Sequence, residues 1–395
     1  MTPTFTSHHL ASLETSRLRD VDALRGFALL GILVVNIAYF ASGYPFHQVS
    51  DPAFSSVVDH SVHWLVTAFV EMKFYLLFSF LFGYSFTLQL DSAERSGARF
   101  RPRFLRRLAV LFVIGGLHAI LLFQGDILTT YAVLGLILLV VHRIQPRTAL
   151  IVAATLTALV ALFFGAISLG DAPIVNEAQA LEQGQQSTIA LSGGITSLIT
   201  EHLAAIPHML VALVVQQGPI AFAAFLAGLA AGKLRALSDT ARQNRALRTI
   251  QLVGFPIGLA GGVVFASLGG TSSAAGLSIS VATAPFLAAA YAATLLRLCH
   301  TAWGTTIAEL LAPAGRMALS NYLGQSLICV VLFTGVGFGL VGTVPPLAVL
   351  GIAIAIFAAQ LVASAGWMRT HRYGPVEWLL RAATNVETPP WRARP

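Results

Sequence analysis

Along most of its length the chain alternates apolar runs, each about as long as a membrane crossing, with short polar connections. A helix needs roughly 20 apolar residues to span the hydrocarbon core. The runs predict about ten crossings, at 24–42, 61–89, 104–122, 127–142, 148–167, 214–234, 249–268, 274–297, 319–340 and 346–366. The most informative stretch is RRLAVLFVIGGLHAILLFQGDILTTY, Arg106 to Tyr131. Two arginines open it, His118 interrupts its apolar run, and the turn Gln124-Gly125-Asp126 leads directly into the next run. It reads as a transmembrane hairpin with Asp126 at its tip and His118 about two helical turns before it. Ionisable groups at such depth are costly and tend to mark function. In the plainer reading, His118 bonds a backbone carbonyl and Asp126 caps the following helix.

Basic residues give the orientation. Arg17 and Arg19 precede the first run, Arg95 to Arg107 follow the second, and Arg143 and Arg147 lie between the fourth and fifth. Lys233 to Arg248 lie between the sixth and seventh, Arg297 and Arg316 flank the next basic connection, and Arg369 to Arg394 follow the last run. The intervening loops 43–60, 123–126, 168–213, 269–273 and 341–345 contain no Lys or Arg. All basic loops then fall on one side, which the positive-inside rule makes cytoplasmic, with both termini. Residues 195–213 are apolar enough to be an extra span, but counting them would place 233–248 outside. They are therefore read as an extracytoplasmic helix, on the surface or leading obliquely into the sixth span. The expected division is a cytoplasmic tail 1–20, a transmembrane bundle 21–368 with extracytoplasmic segment 168–213 (holding Asp171, Glu177 and Glu182), and a cytoplasmic amphipathic tail 369–395.

Composition agrees with an all-α, polytopic membrane bundle. Of 395 residues 56% are hydrophobic and only 10% charged, against about a quarter charged in soluble domains. The net charge of +7 follows from loop topology and is no nucleic-acid footprint. Cys299 and Cys329 have no metal-like or CxxC spacing, so a disulfide is not expected. The polar first sixteen residues lack the pattern of a cleaved signal peptide, so the first membrane helix should stay attached. No metal-spaced cluster, nucleotide-binding glycine motif or serine-hydrolase elbow is present. The basic runs 91–103 and 235–248 serve as topology determinants, or attract the phosphates of an anionic cosubstrate.

Several polar groups fall within the apolar runs. Asp22 and Arg25, three apart, share a helix face and can pair; Asn36 lies three turns further along. In FVEMKFYLLFSFLFGYSF, Glu71 and Lys73 stand among aromatics. A helix starting near Ser61 places Lys73 roughly 18 Å along it, near the midplane, where an unpaired lysine costs about 3 kcal/mol or more. Its expected partner is Asp126, Glu71 of a re-entrant turn, or a substrate group. The ninth run opens with AGRMALSNYLGQS, where Arg316 precedes Asn321, Tyr322, Gln325 and Ser326. Asn321 and Gln325 share a face and either line a cavity or glue helices. In the tail YGPVEWLLR, Glu377 and Arg381 are spaced to pair, and Trp378 suits an interfacial helix.

The segments DALRGFALLGILVVN (22–36), KFYLLFSFLFG (73–83), LHAILLFQGDILTTYA (117–132), GRMALSNYLGQS (315–326) and YGPVEWLLR (373–381) together resemble the YeiB-like family of bacterial inner-membrane proteins, a domain-of-unknown-function family. The opening Asp22, Leu24, Arg25 and Gly26 are also similar to the start of heparan-α-glucosaminide N-acetyltransferase and related transmembrane acyltransferases. That resemblance implies transfer of an acyl group from cytoplasmic acyl-CoA to a small-molecule or glycan acceptor at or across the membrane, with a histidine as the reacting base. His118 is the first choice; His47, His60 and His63, after the first helix, are the others. On this reading His118 takes the acceptor proton or the acyl group, with Asp126 orienting it and Lys73 in the catalytic set. Asp22, Arg25 and Arg316 hold the donor, Arg25 foremost on its phosphates. Asn36, Glu71, Tyr131, Asn321, Tyr322 and Gln325 line the substrate cavity. Membrane lipids surround the bundle, no metal or nucleic acid is called for, and a homo-oligomer is compatible. The competing classes are a transporter or flippase, with the buried charges as a proton or substrate path, and a scaffold, with the same groups serving helix packing.

Overall fold

The computed structural model describes residues 4–97, 99–170, 174–237 and 244–392. Asp171, Arg394 and the middle of the basic connection 235–248 lie outside the described residues. In chain order the helices are α1 (Thr4–Ala41), α2 (Val57–Phe69), α3 (Lys73–Arg95), α4 (Phe100–Leu121), α5 (Leu128–Val141), α6 (Pro146–Ile167), α7 (Glu177–Ser192), α8 (Ile195–Ala212), α9 (Gly218–Lys233), α10 (Asn244–Ser267), α11 (Ala274–Cys299), α12 (Ala302–Arg316), α13 (Ala318–Phe333), α14 (Pro346–Thr370) and α15 (Pro375–Asn385). Residues 4–20, set apart by polarity as a tail, are helical and continuous with the rest of α1.

Among the described residues eight helical stretches are long and apolar enough to cross a membrane. A ninth would be the pair Trp303–Arg316 and Ala318–Phe333, bent by 77°, while Leu128–Val141 is a shorter apolar helix. Large apolar side chains such as Val140, Leu252 and Val362 point outward, as the lipid-facing surface of a bundle requires. The chain is an all-α polytopic membrane protein.

Helix α1 runs through the centre, packed against α3, α12, α13 and α14. The α1–α12 approach is backbone-close: a Cβ on Gly26 would strike the Leu311 carbonyl, and one on Gly315 the Asp22 carbonyl. Small residues at such crossings are what let membrane helices approach. Around this axis α3 packs on α9, α9 on α6, α10 on α11 and α4 on α5.

The structure departs from the apolar pattern at two places. The expected 61–89 crossing is broken between α2 and α3. The amides of Val70 and Glu71 both bond the Val66 carbonyl, and Met72 takes a left-handed backbone, φ 68°, a conformation costing roughly 1–2 kcal/mol for an L residue. Residues 195–213 continue through a π-helical turn, Leu213–Gln217, into α9, so they lead into the sixth span. The arginines of 99–107, Arg25, Arg316 and Arg381 gather at one end of the bundle, where α15 packs on α4 and α13. The 45–47 turn, α7 and α8 lie at the other end, where α4 finishes.

Candidate functional site

Helix α4 ends just past His118, whose carbonyl accepts from the amides of Leu122 and Phe123. The chain then turns so tightly that Asp126, eight residues on, comes back beside the imidazole. Its Oδ2 accepts from the Thr129 amide and hydroxyl, both at 2.8 Å, which caps the start of α5 as the plainer reading expected. Its Oδ1 accepts from His118 Nδ1–H at 2.8 Å. Cap and partner are one carboxylate. Gly115 makes the return possible, because a Cβ there would sit 2.6 Å from the Thr129 nitrogen and 2.9 Å from Asp126 Oδ2. The pair is dry, with His118 and Asp126 side chains 1% and 2% exposed.

The second ring nitrogen, His118 Nε2, lies 2.9 Å from Ser326 Oγ on α13. With Asp126 as the acceptor, as its two bonds from Thr129 make it at Oδ2, Nδ1 supplies the proton of the pair and a neutral imidazole then presents Nε2 as an acceptor. Ser326 therefore donates to His118. Its alternative acceptor, the Tyr322 carbonyl one turn back, is further away at 3.4 Å. Tyr322 shares this face of α13, and its ring packs on the imidazole with centroids 4.9 Å apart. Ser326, His118 and Asp126 thus form a hydrogen-bonded series of the kind that activates a serine hydroxyl. From the sequence, Ser326 was one member of a polar stripe; its spacing from Tyr322 was visible, its meeting with α4 was not.

A cavity of about 570 Å³ opens at the arginine-rich end. Arg25, Arg95, Arg103, Arg107, Arg316 and Arg381 ring its mouth. Inward it becomes apolar and aromatic, with Ile32, Phe78 and Phe82, and ends at Tyr131, Ile127 and Tyr322. The Tyr322 ring separates this inner end from His118. Tyr131 is held by Ser79 at 2.7 Å and by the Tyr75 carbonyl at 3.3 Å. On the far side of His118, Phe123 (centroids 6.1 Å apart) stacks on Phe40 and packs near Phe46 of the outer turn.

Other expected site residues are placed differently. Arg25 bonds Asp22 at 2.6 Å and Ser85 at 2.5 Å while lining the mouth; Arg316 lines it too, and Asp22 acts as Arg25's partner. Lys73 is 1% exposed, but it pairs with neither Asp126 nor a cavity group. It donates to the Thr67 carbonyl at 3.0 Å and lies 5.3 Å from the Phe265 ring centroid. The helix break that follows Phe69 frees that carbonyl, and the lysine at the start of α3 satisfies it. Glu71, half-buried, stands within electrostatic reach of Lys73. Asn321 and Gln325 serve packing: Asn321 Nδ2 donates to the Ala314 carbonyl and Ser364, and Gln325 to Gln360 on α14. Asn36 and Glu71 lie outside the lining of this cavity. Glu377 caps α13 instead of pairing with Arg381, accepting from the Leu319 and Ser320 amides and the Ser320 hydroxyl. Arg381 sits 4.5 Å over the Tyr373 ring. Of the outer histidines, His60 and His63 are exposed on α2. His47 lies 2.9 Å from Ser187 Oγ, which donates to Glu201 at 2.5 Å.

Residues 231–387 match the family described as "Protein of unknown function (DUF418)". The chain is 34% identical to the uncharacterized protein YxaH of Bacillus subtilis (strain 168), over 96% of this chain and 97% of that protein. The chain belongs to the DUF418, YeiB-like family. It is also 29% identical to the uncharacterized protein YeiB of Escherichia coli (strain K12), over 92% of this chain and 95% of that one, and 30% identical to a 39.9 kDa protein of Bacillus acidopullulyticus. No solved structure matches. The DUF418 match contains Tyr322, Ser326, Glu377 and Arg381, whereas His118 and Asp126 precede it. The candidate site therefore joins two parts of the chain that are far apart in sequence.

Proposed function

We propose that this protein is an acyltransferase of the bacterial inner membrane, moving an acyl group from cytoplasmic acyl-CoA to a small-molecule or glycan acceptor at or across the bilayer. The observation that carries this reading is a cavity running from six arginines to a ring packed against a buried, carboxylate-oriented histidine. Arginine forks suit the phosphates of a nucleotide-bearing donor. The apolar, aromatic shaft suits an acyl chain. At its end His118 Nε2 is positioned as a base, and Asp126 stabilises the imidazolium formed when it takes a proton. Turning the Tyr322 ring brings the donor carbonyl within reach of that base. The acceptor arrives from the opposite side, where Phe40, Phe46 and Phe123 now close the site.

The test is binding and transfer by the purified, lipid-reconstituted protein. Acetyl-CoA should bind with an affinity that falls as salt rises, and Arg107→Ala and Arg381→Ala should each weaken it. Transfer of labelled acetyl from acetyl-CoA to membrane or periplasmic acceptors should vanish in His118→Gln. Transport through the same cavity predicts solute movement without loss of the thioester. Absence of acyl-CoA binding, or binding indifferent to both arginines, would overturn the proposal.

A further inference from the structure

We infer that Ser326 is the nucleophile of this site and carries the acyl group as an ester between donor and acceptor. The inference rests on the acyl-transfer reading and adds to it a covalent, two-step course. A serine within a membrane helix ordinarily returns its proton to the carbonyl one turn back. At Ser326 that carbonyl is 3.4 Å away, and the shorter bond runs to His118 Nε2 at 2.9 Å. The imidazole is in turn held by Asp126, whose other oxygen is fixed by two bonds from Thr129. A helix-packing hydroxyl needs only a partner. Here the partner is a base with its tautomer set, which is the arrangement that makes a serine reactive.

Access comes from the cavity. Tyr322, one turn from Ser326 on the same face of α13, forms its inner wall, and its buried hydroxyl stands against the Ile127 backbone with no side-chain partner. Turning this ring gives up only the Ile127 backbone contact at its hydroxyl and opens the path to Ser326.

The chemistry balances. Ser326 Oγ attacks the thioester carbonyl carbon as its proton passes to His118 Nε2. The C–S bond breaks, the thiolate takes the proton from His118, and free CoA thiol leaves an ester on Ser326. An acceptor hydroxyl or amine then attacks this ester, giving its proton to His118. The C–O bond to Ser326 breaks, and the serine oxygen recovers the proton.

The test uses the full chain purified in detergent, a fluorophosphonate probe, and acetyl-CoA with peptide mass spectrometry. Wild type should be labelled at Ser326, and brief acetyl-CoA exposure should add one acetyl to the same peptide. Ser326→Ala should lose both signals, and His118→Gln should slow labelling by on the order of 10³-fold or more. Ser326→Cys, which keeps a nucleophile, should still be acetylated as a thioester, separating loss of the reacting atom from loss of the fold. If wild type transfers acetyl and Ser326→Ala does so equally fast, the nucleophile is overturned and acyl transfer stands. If Ser326 is labelled while acetyl-CoA is neither bound nor turned over, acyl transfer falls and the activated serine stands. Turnover by wild type with no label and no adduct would mean direct transfer and would also overturn the inference.

Discussion

Asp126→Asn tests the site with a single atom exchanged. In the native structure Oδ2 receives two hydrogen bonds from Thr129 and Oδ1 receives one from His118. An amide has one oxygen and one NH₂ group. Two Thr129 donors point at one position, so the amide oxygen must go there, and the NH₂ necessarily faces His118 Nδ1. That nitrogen must then accept, which moves the ring proton to Nε2 and turns it toward Ser326. The base becomes a donor, and the serine loses its activation although every heavy atom stays in place. In Ser-His-Asp hydrolases the same exchange costs about 10⁴ in turnover, or roughly 5 kcal/mol of transition-state stabilisation at 1.36 kcal/mol per tenfold. The loss of stability should be smaller, about 1–2 kcal/mol, since a charged acceptor is replaced by a neutral one. The rate of fluorophosphonate labelling of Ser326 reads the first effect and a thermal melt the second. Labelling within about tenfold of wild type in a folded Asp126→Asn protein would refute the tautomer argument and return the network to helix packing.

Gly115→Ala should move Asp126 from outside the site: the new Cβ would press on Thr129 and the carboxylate at 2.6 and 2.9 Å, so stability, read from a thermal melt, should fall by about 1–3 kcal/mol and Ser326 labelling by roughly 10². Unchanged labelling would show that the turn can retreat without disturbing the histidine. Lys73→Met leaves the buried Thr67 carbonyl without its donor, at about 1–3 kcal/mol, yet should preserve labelling because Lys73 bonds outside the site; a well-folded variant that no longer labels would restore it to the catalytic set. At the outer turn, burial holds His47 below the ordinary histidine value of 6.5, partly offset by Glu201. A histidine lowered on folding binds fewer protons folded than unfolded, so its stabilisation is complete above that value and is lost as pH falls through it. The melting temperature should therefore drop between about pH 7.5 and about pH 5.5, and drop less in His47→Gln; equal drops would assign the effect to other groups.

Periodicity and composition alone determined the class of this protein: apolar runs of membrane length, few charges and Lys/Arg confined to alternate loops leave a helical membrane bundle as the physical option. They also singled out His118 and Asp126, since a histidine in an apolar run and a carboxylate in a tight turn stand out without any structure. What the sequence could not determine was which group each would meet. Lys73 looked as buried in the sequence as it is in the fold, and Glu71 of the turn, one of its expected partners, stands within electrostatic reach. Its hydrogen bond, however, goes to a carbonyl freed by a helix break, and no apolar pattern records a break at Val70–Met72. Asn321, Gln325 and Ser326 looked alike on one helix. Tertiary packing sent the two amides to α14 and the hydroxyl to His118, because a 3.6-residue helix points neighbouring positions at different partners. The arginine mouth was legible only in pieces. Arg25, Arg316 and the basic run 91–103 stood out as groups for an anionic donor, but not their meeting, since the residues that assemble it come from α1, α3, α4, the α12–α13 corner and the tail. A hydrogen bond is decided by angstroms between segments hundreds of residues apart, and hydropathy reports only how each segment partitions into lipid.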